Sequence, residues 1–140
     1  MPNHLQWNPG YNVGNEILDD QHRKLLEQCN TLGDCIADAG QQRVPEFDSK
    51  FKTLMALAGE HFTTEEALLT QCGYPKLEEH QNERDEFNYL VSEIVTPDNF
   101  DPVELQRFLG LWWVGHIVGS GKQYRAFLEK LPPGAVQLGV

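Results

Sequence analysis

The sequence predicts an all-α protein: an antiparallel, up-down four-helix bundle preceded by an irregular N-terminal arm. Three observations carry that expectation. Apolar residues recur at three- and four-residue steps in four separate segments. Gly and Pro punctuate the chain between them, at Gly40/Pro45, Gly73/Pro75 and Thr96-Pro97-Asp98. No segment shows the two-residue alternation of a half-buried strand, and no repeat or low-complexity stretch is present.

Residues 1 to about 14 hold Pro2, Pro9, Gly10 and Gly14, with Trp7 and Tyr11 between them. This reads as an arm whose aromatic side chains pack onto the body. The first helix is expected from Glu16 to Ala39, with Leu18, Leu25, Leu26, Cys29, Leu32 and Ile36 on one face. Asp19 and Asp20 lie near its positive N-terminal end, where acids are favoured. Gly40 ends it. Pro45 opens the second helix at a position where its missing N–H costs nothing. Phe47, Phe51, Leu54, Ala58, His61, Glu65 and Leu68 follow its inner face, and Gly73 stops it.

Pro75 is read as the start of the third helix, with Leu77, His80, Arg84, Phe87 and Val91 on a common stripe. The fourth starts at Asp101, with Pro102 in the first turn and Glu104 completing a D-x-x-E capping box. Leu105, Phe108, Leu109, Trp112, His116, Tyr124 and Phe127 line it, and Leu131-Pro132-Pro133-Gly134 ends it. Gly110, Gly115, Gly119 and Gly121 weaken this helix, each by up to about 1 kcal/mol relative to Ala. Short connections between four such helices imply an up-down bundle forming one domain over residues 1–140.

Composition removes several function classes. The net charge is −10 and no Lys/Arg cluster occurs, which argues against nucleic acid and anionic membranes as partners. No apolar run approaches the roughly 20 residues of a membrane-spanning helix. The segment MPNHLQWNPG has neither a basic start nor an apolar stretch, so no signal peptide is expected and the cytoplasm is the expected compartment. Three cysteines, Cys29, Cys35 and Cys72, form no CxxC pair and are expected to be reduced packing residues.

The histidines carry the functional signal. His4 sits in the arm and reads as incidental. His22, His61, His80 and His116 fall one to a helix, each on the apolar stripe. Burying four imidazoles without a shared purpose costs too much polar desolvation, and metal ligation supplies a common reason. The sharpest local signal is His61-Phe-Thr-Thr-Glu65: residues i and i+4 share a helix face, so this His and Glu can address one ion.

Tyr11-Asn-Val-Gly14-Asn and Leu18-Asp-Asp-Gln-His22-Arg-Lys-Leu25, then His61-Phe-Thr-Thr-Glu65-Glu66, Tyr74-Pro75…His80 and Trp112…His116-Ile117, resemble in order the motifs of the hemerythrin family. The resemblance runs from about residue 7 to residue 128. It implies a non-haem di-iron centre that binds O₂ or a related small diatomic ligand, in a binding protein rather than an enzyme. Carried over residue by residue, one iron takes His22 and His61, the other takes His80 and His116, and Glu65 bridges.

Three positions depart from the family pattern. Arg84 stands where the third helix carries a second histidine, and it has no lone pair to give. Gly121 stands where the fourth helix carries a bridging carboxylate, and the nearby oxygens of Ser120 and Tyr124 are not obvious substitutes. Trp113 stands where the resemblance expects a leucine lining the O₂ pocket, with Gly121 a candidate for making room beside it. The chain thus keeps His22, His61, Glu65, His80 and His116 and lacks two ligands of a full site. His22, His61 and Glu65 form the 2-His-1-carboxylate set of mononuclear non-haem iron, and His₂Glu also suits zinc. The expected cofactor is iron, one or two ions. The alternative is a metal-free interaction or regulatory module in which Arg84 pairs with Glu65 and replaces the metal's charge.

Overall fold

The computed structural model describes residues 4–40 and 42–129. Pro2 and the Leu131-Pro132-Pro133-Gly134 terminator lie outside the described residues. The helices are α1 (Glu16–Asp38), α2 (Pro45–Gln71), α3 (Leu77–Val95), α4 (Pro102–Val118) and α5 (Ser120–Leu128), with a single 3₁₀ turn at Pro9–Tyr11. Helix α1 packs against α2 and α4, and α3 packs against the same two, so the bundle is square in section with α1 and α3 on opposite corners. No described helix is long and apolar enough to cross a membrane.

Helix α1 is capped by the Asn15 side chain, which accepts from the Leu18 N–H at 3.0 Å. Asp19 does more than complement the helix dipole. Its carboxylate accepts from the Val13 N–H at 2.7 Å and pins the arm to the first turn. Further out, Asn30 exchanges two hydrogen bonds with the Leu5 backbone, at 2.7 and 2.9 Å. The Trp7 and Tyr11 rings meet edge to face, with the Arg23 guanidinium over Trp7. The arm is therefore part of the packed body, as its aromatic content led us to expect.

Two helix boundaries differ from the sequence reading. Helix α3 begins at Leu77, not Pro75. Gly73 adopts φ 69° and the Tyr74 N–H reaches back to the Leu69 carbonyl at 3.0 Å, so the chain spends Tyr74 to Lys76 turning before the helix starts. The fourth helix is broken at Gly119, where the backbone bends to φ −80°, ψ −74°. A Cβ there would lie 2.9 Å from the Gly115 carbonyl oxygen, so only glycine allows that approach. The bend re-aims α5, and with it Tyr124, toward the bundle interior.

The apolar core is divided in two. Leu25, Cys29, Leu54, Phe62, Phe87, Leu109, Trp113 and Ile117 belong to the larger cluster. Val13, Leu18, Leu68, Leu69, Tyr74, Tyr124 and Leu128 form the smaller. Along α1, His22 falls between Leu18 and Leu25. Along α2, Glu65 falls between Phe62 and Leu68. Along the last two helices, His116 lies between Trp113 and Tyr124. A polar layer thus crosses the bundle between two apolar plugs. Cys29 and Cys35 are buried in the larger cluster, with burial pushing the Cys29 thiol up to about 12. Cys72 ends α2 half-buried, its thiol directed at the Leu69 carbonyl.

Candidate metal centre

The polar layer converges on Glu65, which is completely buried. His61 stands one turn earlier on α2 and places Nε2 3.0 Å from Glu65 Oε2. His22, from α1, places Nε2 3.0 Å from His61 Nε2 and 3.7 Å from the same carboxylate oxygen. His116, from α4, holds Nε2 3.2 Å from both Glu65 oxygens. His80, from α3, hydrogen-bonds Glu65 Oε1. One donor atom from each of His22, His61, Glu65 and His116 lies within 4.8 Å of the others, so these four can address a single ion. His80 meets the carboxylate on its other oxygen. The grouping differs from the pairing carried over from the family, in which His116 sides with His80 alone.

The hydrogen-bond network fixes one tautomer. The Thr64 hydroxyl donates to the Glu60 carbonyl at 2.9 Å, so its oxygen accepts from Gln21 Nε2 at 3.0 Å. Gln21 Oε1 must then accept from His61 Nδ1–H, at 2.8 Å. That leaves the Nε2 lone pair of a neutral His61 pointing at the Glu65 carboxylate. A cation between them satisfies both. Carboxylate and imidazole donors suit iron and zinc alike, so the donor chemistry fits a transition-metal ion.

The electrostatics agree. Burial lowers the His22 imidazole to about 4, and burial likewise pushes His61 down, so both are neutral lone-pair donors at pH 7. Burial alone would raise Glu65; the charge and hydrogen bond of His116 oppose it, and the carboxyl lies well below its ordinary range. His116 moves the other way. Burial lowers it, but Glu65 and Glu83 prevail and raise it to about 9.

Arg84 does not enter this layer. Its guanidinium bonds Glu66 and, at 3.1 to 3.2 Å, Asp85, with the side chain about one-third exposed. The Arg84–Glu65 pair of the metal-free alternative is therefore not formed. A guanidinium beside four imidazoles would carry a large desolvation penalty, and its long stem lets the charge reach the wet flank of α2 instead. Arg84 gives the polar layer neither a donor atom nor a positive charge.

Gly121 has a different neighbour from the one anticipated. A Cβ at this position would sit 2.8 Å from Val13 Cγ1 and 4.0 Å from the Tyr124 hydroxyl. The arm and Tyr124, not Trp113, use the room that a side chain at 121 would need. Gly121→Asp is accordingly expected to destabilise the protein by about 1–3 kcal/mol through overpacking, measured by denaturant unfolding. Unfolding unchanged from wild type would show that the arm yields at no cost.

Three contributors were not assigned from sequence. Tyr124, from α5, donates its hydroxyl to Glu65 Oε2 at 2.5 Å, and burial together with that carboxylate keeps its pKa well above 10. Glu83 accepts from His116 Nδ1 at 2.7 Å and from the Ser120 hydroxyl at 2.5 Å. Gln21 orients His61. Glu83 had a legible signal, standing three residues after His80 on the same helix face. Tyr124 had its place on the apolar stripe and an oxygen near the missing carboxylate of the fourth helix. Trp113 is fully buried, with its ring 5.6 Å from that of His61 and 5.4 Å from that of His116.

Against this geometry, comparison with known proteins is decisive. The sequence model described as the hemerythrin HHE cation binding domain matches residues 13–120. The chain belongs to the hemerythrin family. It is 29% identical over 128 residues to a hemerythrin-like protein of Naegleria gruberi, covering 91% of this chain and 97% of that protein. It is 29% identical to a bacteriohemerythrin of Stenotrophomonas maltophilia, covering 86% of this chain and 78% of the relative. A myohemerythrin of Theromyzon tessulatum is 24% identical over 91% of this chain and 97% of its own length. The family match covers α1 to α4 and the residues of the polar layer up to Ser120.

Proposed function

We propose that this hemerythrin-family chain holds a single iron ion through His22, His61, Glu65 and His116, with His80 steadying the second oxygen of Glu65, and that it binds O₂ or a related small diatomic molecule there rather than acting as an enzyme. The observation that carries the reading is the convergence of four buried donor atoms within 4.8 Å on one carboxylate. Its relatives named bacteriohemerythrin and myohemerythrin support iron over zinc. The second half of the layer supports one ion rather than two. Arg84 turns outward to Glu66, and Val13 and Tyr124 crowd the place of a carboxylate at 121.

A bound ferrous ion would supply the electrons and the open coordination position that a diatomic ligand needs. The chain's own residues do the rest. His22 and His61 offer neutral nitrogens, Glu65 offers the charge, Gln21 keeps the His61 lone pair directed inward, and the two apolar plugs close the layer at both ends.

Elemental analysis of protein expressed in iron-rich medium tests the reading. One iron per chain is expected, together with a fall in Tm when a chelator strips it, because the ion binds the folded state alone. Two irons per chain would overturn the single-ion assignment. No metal, with a Tm indifferent to chelator, would overturn the reading as a whole.

A further inference from the structure

The four imidazoles of the polar layer differ in what holds their second nitrogen. Nδ1 of His22 and Nδ1 of His80 are buried without a hydrogen-bond partner among the described residues. Nδ1 of His61 faces the neutral Gln21 amide at 2.8 Å. His116 alone directs Nδ1 at a carboxylate, Glu83 Oε1, at 2.7 Å. The other oxygen of Glu83 is fixed by the Ser120 hydroxyl at 2.5 Å. Ser120 opens α5 directly after the bend at Gly119, so the same break that turns Tyr124 inward also delivers this hydroxyl. The Glu83 side chain is about one-third exposed and forms part of the wall of a polar cleft of about 220 Å³ that also touches His80 and Ser120.

We propose that Glu83 is the positioning residue of the centre: it fixes the ring orientation and tautomer of His116, raises the donor strength of its Nε2, and places a negative charge one imidazole away from the metal. The proposal rests on the metal reading above and adds a residue that neither the family motifs nor the donor cluster includes. A carboxylate behind a ligating histidine strengthens the ligand it orients, and removal of such a partner commonly costs ten- to a hundred-fold in metal affinity. The assignment makes Glu83 distinct from a plain tie between α3 and α4. A tie would hold helices together without altering the metal's electronics. An anion linked through His116 favours the more highly charged iron.

The test uses the full chain loaded with Fe(II), with chelator competition for affinity and spectroelectrochemistry for the midpoint potential. Glu83→Gln, an isostere that keeps the hydrogen-bond acceptor and loses the charge, is expected to weaken Fe(II) binding by about ten-fold or more and to raise the midpoint potential. Glu83→Asp should recover part of both. Ser120→Ala leaves the carboxylate in place but frees it, so it should shift both readouts in the same direction by less, and it keeps the test open if Glu83 variants fold poorly. Wild-type protein that binds iron while Glu83→Gln matches it in affinity and potential would overturn this inference alone. Wild-type protein that holds no iron would overturn the metal reading and this inference with it.

Discussion

Glu65→Ala is expected to abolish metal retention and to destabilise the metal-free protein by about 3–5 kcal/mol, the usual cost of removing one partner from a buried charged network. Glu65 is the common point of the polar layer. His22, His61, His80, His116 and Tyr124 all address its two oxygens, and none of its surface reaches solvent. Without it, the protonated His116 loses one of its two carboxylate partners and keeps only Glu83, and the Tyr124 hydroxyl loses its acceptor. Glu65→Gln separates the two losses. The amide oxygen can still accept from Tyr124, so the fold should suffer less, while the charge that balances a divalent ion is gone. Denaturant unfolding of the metal-free proteins and elemental analysis of the loaded ones give the two numbers. If Glu65→Ala retained wild-type iron content, the histidines alone would be holding the ion and the central role of Glu65 would be wrong.

The comparison of Glu65 with Arg84 shows what a sequence of this kind discloses. Periodicity places both on inward stripes. For Glu65 the stripe position settles the matter, because a glutamate with a histidine one turn earlier, facing other buried imidazoles, has little reason to leave. For Arg84 it does not. Helical spacing says where the Cα lies, while a long cationic stem can carry its charge around the helix flank to Glu66. The helix count, the arm and the one-histidine-per-helix pattern were legible for the same reason that Glu65 was: each rests on local spacing and on Gly and Pro punctuation. The break at Gly119 was only half legible. Four glycines announce a weak helix, but the contact that selects position 119 is with the carbonyl of Gly115, a matter of backbone geometry. The contacts of Tyr124 and Gly121 were illegible because their partners come from elsewhere in the fold. Tyr124 meets a carboxylate 59 positions away, and Gly121 meets Val13 of the arm.

Trp113→Ala is the second large effect. The indole is fully buried among Phe62, Phe87, Trp112, His61 and His116, with ring centroids 4.9 to 5.6 Å away. Truncation to alanine should cost about 3–5 kcal/mol, as for other buried Trp and Phe residues, because the surrounding aromatic side chains are shared with the larger core cluster and cannot all collapse inward. The indole N–H has no acceptor among the described residues, so its removal leaves no acceptor orphaned there and the cost is one of packing. The cavity would lie against His61 and His116, and one lined by aromatic groups stays dry and accepts small apolar guests. Xenon binding to the alanine variant, absent in wild type, would report that space. Trp113→Leu should restore most of the stability while keeping part of the opening. In ferrous-loaded protein this variant should therefore respond to O₂ with a larger and faster change in visible absorbance than wild type. Equal responses from the two proteins would mean that the ligand reaches the centre by another side, and that the indole is core packing and nothing more.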